Sequence, residues 1–495
     1  MLIYFGKRSL IAYDEGFYAV QARWIIDNSN WVGAMWWDTL TTDRTIAIQF
    51  LLALSKKIFG ESLFALYIPI LVASIMMIFT TYHLHKELLR DKYPLYSSLI
   101  LATTFLWISY AHMATQDIVF ASLVNIGLLS SIKAYKTSIN IYFILSGLWI
   151  GLAFFFKTYL TFIPFVCILP FLLKSKIFYK KYFWIGIFIG FIPFTLWSYN
   201  YIFIYGYESY SGIFRKLVSL SKNNNFTKPF YYYSWNMILN IFPWSILSIV
   251  GFFKSFKGDF IRKYFLFFYP FFLIILLSLF STKTPYYPLQ ILSLTSINSF
   301  VGINYILNKK EGNIISYLGK INFILIPIIF LFALIILNFI NIIELDLRAQ
   351  IFMNLGVILF SLSWISIKYF KNKKVKFLLS ILGPYILVLM LVQSGLITDK
   401  SKSLRIASEE LINSNNLSDV PINIIYKNST GKNSTSKIIK IMLNIPKLGK
   451  NIENLEQLKA NSYAWTTSNK YYDKDNYYVV DQNKEFYPWK LIMKK

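Results

Sequence analysis

Uncharged, mostly apolar stretches of about 20 residues, the length that crosses a bilayer as a helix, recur through residues 62–397 of this 495-residue chain. Only 15% of all residues are charged, whereas soluble domains carry about 25%. Lipid must therefore cover the apolar surface, and we predict an all-α polytopic membrane protein. Its twelve predicted spans lie near residues 62–83, 93–111, 118–132, 140–156, 158–173, 183–205, 230–253, 264–280, 285–307, 321–343, 351–367 and 377–397.

The short loops between these spans differ in charge. Six alternate loops carry 21 Lys and Arg against four Asp and Glu, whereas the opposite loops carry seven against four. By the positive-inside rule the first set faces the cytoplasm, and both chain ends face outward. Most of the net charge of +26 thus sets orientation and contacts anionic lipid, so we expect no nucleic-acid partner.

The predicted organisation has three parts. Residues 1–61 form a first outer loop with an interfacial helix near 46–59, residues 62–397 form the transmembrane domain, and residues 398–495 form a soluble outer domain. Strand-like and helix-like pieces alternate in this tail, which predicts a small C-terminal α/β extramembrane domain. Because the outer N-terminal part carries no signal peptide, we expect one more span upstream of it.

Ionisable residues lie near the predicted outer ends of the spans, where burial is costly unless the groups pair or function. Lysines that reach the interface and ordinary surface ion pairs are the alternative explanation. Taken as a set, these groups predict a polar pocket at the outer leaflet. The candidate catalytic residues are Asp14 and Glu15, and the candidate substrate-binding residues are Asp43, Arg44, Asp117, Lys157, Arg215, Lys283, Tyr286 and Tyr287.

Each of these positions has two readings. Asp14 and Glu15 are predicted to lie at the first turn of a helix, where the helix dipole favours acids, but a carboxylate there can also act as a general base. Arg44 forms either a weak ion pair with its neighbour or a planar contact with a phosphate. Lys157 and Lys283 are lone cations between apolar spans, and two of them facing outward suit an anionic ligand.

Six segments of the chain, in this order, resemble the C-type membrane glycosyltransferases that use polyprenyl-phosphate sugars. This superfamily contains the protein O-mannosyltransferases and the lipid A aminoarabinose transferase. The resemblance covers roughly residues 4–300. Its segments are YDEGFYA, WWDTLTTDRTIAIQFLLALSKKIFGES, AHMATQDIVFA, FFFKTYLTFIPF, KPFYYYSWNMILNIFPW and FSTKTPYYPLQ.

The resemblance implies thirteen helices, an outer C-terminal domain, and Asp14 as the catalytic carboxylate. The chain departs from the family pattern where Phe17 replaces an arginine, where Thr45 and Ile46 replace two prolines, and where Arg44 replaces a lysine. Some relatives bind a metal through a histidine in the loop that corresponds to 206–229, which has none here. We therefore expect no obligatory metal or other cofactor, and the sequence leaves a divalent metal open without supporting it. The remaining matches to the family are Asp43, Asp117, Lys157 and Lys283.

Residues and resemblance together predict an inverting glycosyltransferase at the periplasmic face of a bacterial inner membrane. The expected partners are a polyprenyl-phosphate sugar donor, a lipid, glycan or protein acceptor, and anionic membrane lipids. Asp14 would take the proton of the acceptor hydroxyl, with Glu15 as the alternative base, while the cations neutralise the departing phosphate. The alternatives are a transporter or flippase of a lipid-linked or anionic solute, which favours broken spans and inverted repeats, and a polysaccharide polymerase or ligase.

Overall fold

The computed structural model describes residues 8–37, 39–42, 44–222, 227–308, 314–340, 346–426, 432–467, 476–481 and 483–495. These residues are mostly helical, with a small sheet in the C-terminal part, so the predicted fold class is confirmed. The helices are α1 (Phe17–Asp27), α2 (Ala47–Phe59), α3 (Leu63–Leu89), α4 (Pro94–Ala102), α5 (Phe105–Ala111), α6 (Gln116–Thr137), α7 (Asn140–Lys157), α8 (Phe162–Lys174), α9 (Lys181–Lys222), α10 (Tyr232–Asn240), α11 (Ser245–Ser255), α12 (Phe260–Lys263), α13 (Tyr269–Leu279), α14 (Leu292–Asn308), α15 (Ile314–Ile340), α16 (Leu347–Ser366), α17 (Lys373–Gln393), α18 (Lys402–Ser414) and α19 (Lys432–Asn444). The strands are β1 (Met35–Trp36), β2 (Thr39–Leu40), β3 (Ile422–Ile424), β4 (Leu448–Asn451), β5 (Tyr463–Thr466), β6 (Tyr477–Asp481) and β7 (Lys490–Lys494).

Among the described residues, eight helices are long and apolar enough to cross a membrane, and two sharply bent helix pairs raise the number to ten. This is fewer than the twelve spans predicted. The predicted runs 140–156 and 158–173 are counted together as one candidate span, Asn140–Lys174, although the backbone breaks between them at Thr158, which has φ 41° and ψ −114°. The predicted run 285–307 begins as a 3₁₀ turn and continues as α14, of which 17 residues are described.

Two compact units divide the described residues. The membrane unit comprises Thr42–Ile48 and Tyr67–Ser394. The other, here called the terminal unit, comprises residues 8–41, Gln49–Leu66 and Gly395–Lys495. The domain boundaries expected from the sequence, at residues 61 and 397, stay predictions.

Helices α7 and α9 of the membrane unit approach each other through glycines. A Cβ atom on Gly147 would lie 2.1 Å from a carbonyl oxygen of α9, and one on Gly190 would lie 2.3 Å from a carbonyl oxygen of α7. Gly151 and Gly186 meet the opposite backbone equally closely. Small residues four positions apart allow membrane helices to pack backbone against backbone. This contact fixes the position of α7, which carries Lys157 at its end.

The bent pairs α4–α5 and α10–α11 turn by 68° and 112°. Each break bonds to the other, since the Phe105 backbone N–H donates to the Phe242 carbonyl at 3.0 Å. The Trp244 indole N–H donates to the Thr103 hydroxyl, also at 3.0 Å. A helix that breaks at membrane depth must find protein partners for its freed backbone groups. The two breaks supply partners to each other.

Apolar side chains also cover the outside of the spans. Phe203 of α9 is 81% exposed and Phe339 of α15 is 85% exposed. Contiguous apolar surface of this kind is rare on soluble monomers and marks an interaction surface. On helices of this length and hydropathy, the contact is with lipid.

The terminal unit combines α1 with the C-terminal elements. Its five-stranded sheet has the order β4-β3-β5-β7-β6, with β3 parallel to β4 and β5, and β7 antiparallel to β5 and β6. Val20 and Trp24 of α1 are buried in the same apolar cluster as Ile439 of α19 and Trp465 of β5. The two ends of the described chain therefore share one core.

Candidate functional site

The candidate catalytic pair lies in the terminal unit, in an irregular turn, Ala12–Gly16, that leads into α1. The sequence placed the pair in a first helical turn, but Asp14 has φ 54° and ψ −82°, which is not helical. Such a backbone conformation costs a non-glycine residue about 1–3 kcal/mol and persists only where the surroundings hold it. Strain of this kind is concentrated at functional sites.

Burial separates the two acids of this turn. The Asp14 side chain is exposed, whereas Glu15 is fully buried. The Glu15 carboxylate accepts a hydrogen bond from the backbone N–H of Ile11 at 3.1 Å. Glu15 thus stabilises the turn from inside, and Asp14 is the more accessible carboxylate of the two.

Arg44 lies in the part of the membrane unit, Thr42–Ile48, that leads into α2, and its neighbour Asp43 lies outside the described residues. The hydroxyl of Thr45 donates to the carbonyl of Phe155 at 2.5 Å. Phe155 lies two residues before Lys157 on α7. This bond ties the segment that carries Arg44 to the end of the helix that carries Lys157.

Arg215 lies on the C-terminal half of α9, beyond a break at Gly206. One turn earlier, a Cβ on Gly212 would lie 3.1 Å from the side chain of Thr42, so this half of α9 packs against the segment before Arg44. The Arg215 side chain is exposed, and its guanidinium donates to the hydroxyl of Ser211 on the same helix. Helix α9 therefore contacts the segment that carries Arg44, but the Arg215 guanidinium itself bonds to its own helix.

Asp117 and Lys157 form a salt bridge, with Oδ1 and Nζ 2.7 Å apart and side-chain exposures of 9% and 11%. Asp117 lies in the first turn of α6 and Lys157 in the last turn of α7, so each helix dipole favours the charge it carries. The Lys157 ammonium also lies 5.1 Å from the ring centre of Tyr286, which packs against Tyr110. An acid and an aromatic ring thus hold this cation in place.

Lys283 lies in the loop after α13 and is 4% exposed. Its ammonium donates to the carbonyls of Lys228 at 3.0 Å and Phe280 at 2.5 Å. Burial lowers the pKa of the Lys283 ammonium from its ordinary value. An ammonium has three N–H donors, and within the described part of the chain these two bonds use two of them, so the third can bind an anion.

Helix α10 fixes this loop. The Tyr233 hydroxyl donates to the Thr284 carbonyl at 3.0 Å, and the Asn240 side-chain amide donates to the Pro285 carbonyl at 2.8 Å. Both side chains are buried. Neither residue is among the site residues predicted from the sequence. Their spacing of seven, which places them on one helix face, is the signal that could have found them.

The membrane unit gathers five predicted residues around one loop, because Lys157 contacts both Asp117 and Tyr286, and the loop also carries Lys283 and Tyr287. The rings of Tyr286 and Tyr287 are 5.3 Å apart. Among the described residues, no three His, Cys, Asp or Glu side chains lie close enough to share a metal ion. The arrangement can hold an anion between fixed cations and aromatic rings.

Comparisons with known proteins agree with this architecture. A family model described as dolichyl-phosphate-mannose-protein mannosyltransferase matches residues 43–199. A search of curated protein sequences finds no match. Among solved structures, ArnT from Cupriavidus metallidurans bound to undecaprenyl phosphate aligns with a TM-score of 0.77 and 12% identity, over 98% of this chain and 94% of that chain. The apo structure of the same protein aligns with a TM-score of 0.72, the same identity and the same coverage.

The predicted resemblance to C-type membrane glycosyltransferases is confirmed by the matched family model and the shared fold. The family model covers the segment from the start of the interfacial helix region to α9. At 12% identity the structural matches establish the fold and leave the chemistry of individual residues to the site itself.

Proposed function

We propose that this protein is an inverting glycosyltransferase. It moves a sugar from a polyprenyl-phosphate donor to a hydroxyl of a lipid, glycan or protein acceptor at the periplasmic face of a bacterial inner membrane. The observation that carries the proposal is the Lys157 ammonium, which Asp117 and Tyr286 hold in a membrane unit with this fold. A fixed, nearly buried cation at a span end is suited to an anionic lipid headgroup.

The cations act on the leaving group. As the bond between the anomeric carbon and the phosphate oxygen breaks, the electron pair goes to the polyprenyl phosphate. Lys157 and Lys283, with Arg44, stabilise the charge that develops there. Asp117 keeps Lys157 in position before the donor binds, and the phosphate then shares the ammonium.

Asp14 acts on the acceptor. Its exposed carboxylate takes the proton of the acceptor hydroxyl as the oxygen forms its bond to the anomeric carbon. A single displacement inverts that carbon. We assign the base to Asp14 rather than Glu15 because Glu15 is fully buried and bonded to the backbone.

The test uses membranes that contain the full-length protein and a set of labelled polyprenyl-phosphate sugars. Transfer of label to an acceptor supports the proposal. Asp14→Asn should abolish transfer while leaving undecaprenyl-phosphate binding unchanged, and Lys157→Met should weaken that binding. Asp419→Asn, which changes an exposed acid elsewhere in the terminal unit, is the matched control. Retained turnover in the Asp14 variant would reject Asp14 as the base.

The two broken spans are an observation in favour of a transporter or flippase. However, residues 102–105 and 241–245 at the breaks contain no ionisable side chain, and the breaks bond to each other. Transport of a charged headgroup favours ionisable groups at membrane depth. Movement of a labelled lipid-linked sugar across reconstituted vesicles, without transfer to any acceptor, would establish the transporter instead.

A further inference from the structure

The segment before the Asp14 turn is bonded to the C-terminal tail, residues 395–495. The Ser9 hydroxyl donates to the Asp399 carboxylate at 2.6 Å. In return, the Ser401 backbone N–H donates to the Ser9 hydroxyl at 2.6 Å, and the Ser401 hydroxyl donates to the Leu10 carbonyl at 2.9 Å. Three bonds between distant parts of the chain thus fix the entry to the turn.

A buried ion pair supports these bonds. Arg405 of α18 donates from Nη2 to Asp399 Oδ2 at 2.8 Å and from Nε to Oδ1 at 3.3 Å. Its remaining nitrogen donates to Glu409 at 2.8 Å. A two-point contact between guanidinium and carboxylate fixes orientation as well as distance. Arg405 therefore orients the carboxylate that binds Ser9.

The segment after the turn is bonded to the same tail. The Arg23 guanidinium of α1 donates to the carbonyls of Ile445, at 2.8 Å, and Pro446, the two residues that directly follow α19. Carbonyls at a helix C-terminus have no partner within the helix, so a cation there is favourable. At Gly16, a Cβ would lie 2.9 Å from Ile439 of α19.

We infer that the C-terminal tail is the frame that positions the Asp14 turn, and that Arg405 and Arg23 are positioning residues for the transfer reaction. A strained turn needs its surroundings to hold it, and here the tail holds both sides. The inference rests on the proposed function, because it requires Asp14 as the base. A base must stay within hydrogen-bond reach of the acceptor hydroxyl, and a shift of about 1 Å can cost about 100-fold in rate.

The experiment compares full-length variants in the sugar-transfer assay. Arg405→Ala should lower kcat by at least ~10-fold because the base moves. The donor KM and the binding of undecaprenyl phosphate should change by less than about 2-fold, since the donor cations lie in the membrane unit. Arg405→Lys should recover part of the rate. Lys437→Ala, which removes an ion pair with Glu485 elsewhere in the tail, should behave as the unaltered protein.

Ser401→Ala is a milder variant that removes one hydroxyl and keeps the ion pair, and it should lower kcat less than Arg405→Ala does. Unchanged kcat in both variants would overturn the inference. So would a loss of kcat that matches a loss of folded protein and of lipid-phosphate binding, because that is a merely structural effect. If Asp14→Asn also transfers sugar, the proposed base fails instead, so the two failures are distinguishable.

Discussion

Removing either partner of the Asp117–Lys157 ion pair should destabilise the membrane unit strongly. At 2.7 Å and an effective dielectric constant of about 20, the attraction is about 6 kcal/mol. Desolvation offsets part of this, and the loss of one partner from a buried pair costs about 3–5 kcal/mol because the other charge is left uncompensated. We expect this cost for both Asp117→Asn and Lys157→Met. The double variant leaves no charge behind and should cost much less than the sum.

The assay is a double-mutant cycle on purified protein in mixed micelles, with unfolding by a denaturing detergent followed by circular dichroism. The coupling between the two sites should reach at least about 2 kcal/mol. A matched control is the Lys136–Glu87 pair, which has the same type of contact at 2.8 Å but side-chain exposures of 18% and 25%. Lys136→Met should cost no more than about 1 kcal/mol.

Binding of undecaprenyl phosphate adds a second measurement to this cycle. Folded Asp117→Asn should retain binding, because Lys157 remains, whereas Lys157→Met and the double variant should bind the lipid phosphate much more weakly. Additive costs, with no coupling between the two substitutions, would refute the reasoning about the buried pair. Retained lipid binding in the double variant would refute the role of Lys157.

Three further predictions concern the groups around this pair. Gly190→Val should destabilise the protein by about 3 kcal/mol or more, since a Cβ there would lie 2.3 Å from the Leu148 carbonyl oxygen; thermal unfolding in detergent measures this. Tyr233→Phe removes the bond to the Thr284 carbonyl, which should cost about 1 kcal/mol and weaken lipid-phosphate binding in a titration. Burial lowers the pKa of the Lys283 ammonium from 10.5. As the pH rises, Lys283 should therefore lose its proton before the pH reaches 10.5, and lipid-phosphate binding should weaken with that loss. Lys283→Arg should move this weakening to higher pH, and an unchanged profile would remove Lys283 from the site.

The helical part of the fold was predictable because apolar runs of span length report directly on burial in lipid. The number of spans was less predictable. Lys157 separates two apolar runs in the sequence, and α7 and α8 do part there, because Thr158 has non-helical backbone angles (φ 41°, ψ −114°) and a 3₁₀ turn follows. The run after Tyr286 was read as one span, but its first turn is a 3₁₀ segment. Hydropathy counts apolar residues, whereas span limits depend on backbone geometry.

Individual site residues were easier to predict than their contacts. Charge at a span end identified Asp117 and Lys157, but their pairing depends on how α6 and α7 pack. The glycine spacing on α7 was visible in the sequence without indicating which helix it meets. Tyr233 and Asn240 were missed because their role is to fix a loop about 50 residues away through its carbonyls. Every residue type has a backbone carbonyl, so the identity of the accepting residue does not show, in the sequence, that it receives a hydrogen bond.

The shared core of the terminal unit was not predictable for a related reason. The tail had the alternation of an α/β domain, and α1 had an ordinary helical pattern, so each was recognisable alone. Nothing in either pattern indicates that Trp24 is buried beside Ile439, more than 400 residues later. Contacts between distant segments follow from tertiary packing, which single-sequence periodicity does not report.

Two features of the candidate site residues are unfavourable for stability taken alone. Asp14 has a backbone conformation that glycine would adopt at lower cost. The Asp117–Lys157 ion pair is buried, and replacing a buried ion pair by apolar residues of similar volume often leaves the stability of a protein unchanged or raises it. Positions where the local conformation or charge is unfavourable, in a fold that is otherwise consistent, are often functional. A structural protein gains nothing from a strained acid or a desolvated cation, whereas the proposed transfer reaction needs a reachable base and a fixed phosphate ligand. The double variant that removes the ion pair should therefore separate stability from function. It should keep most of the stability of the protein and lose most of its binding of the lipid phosphate.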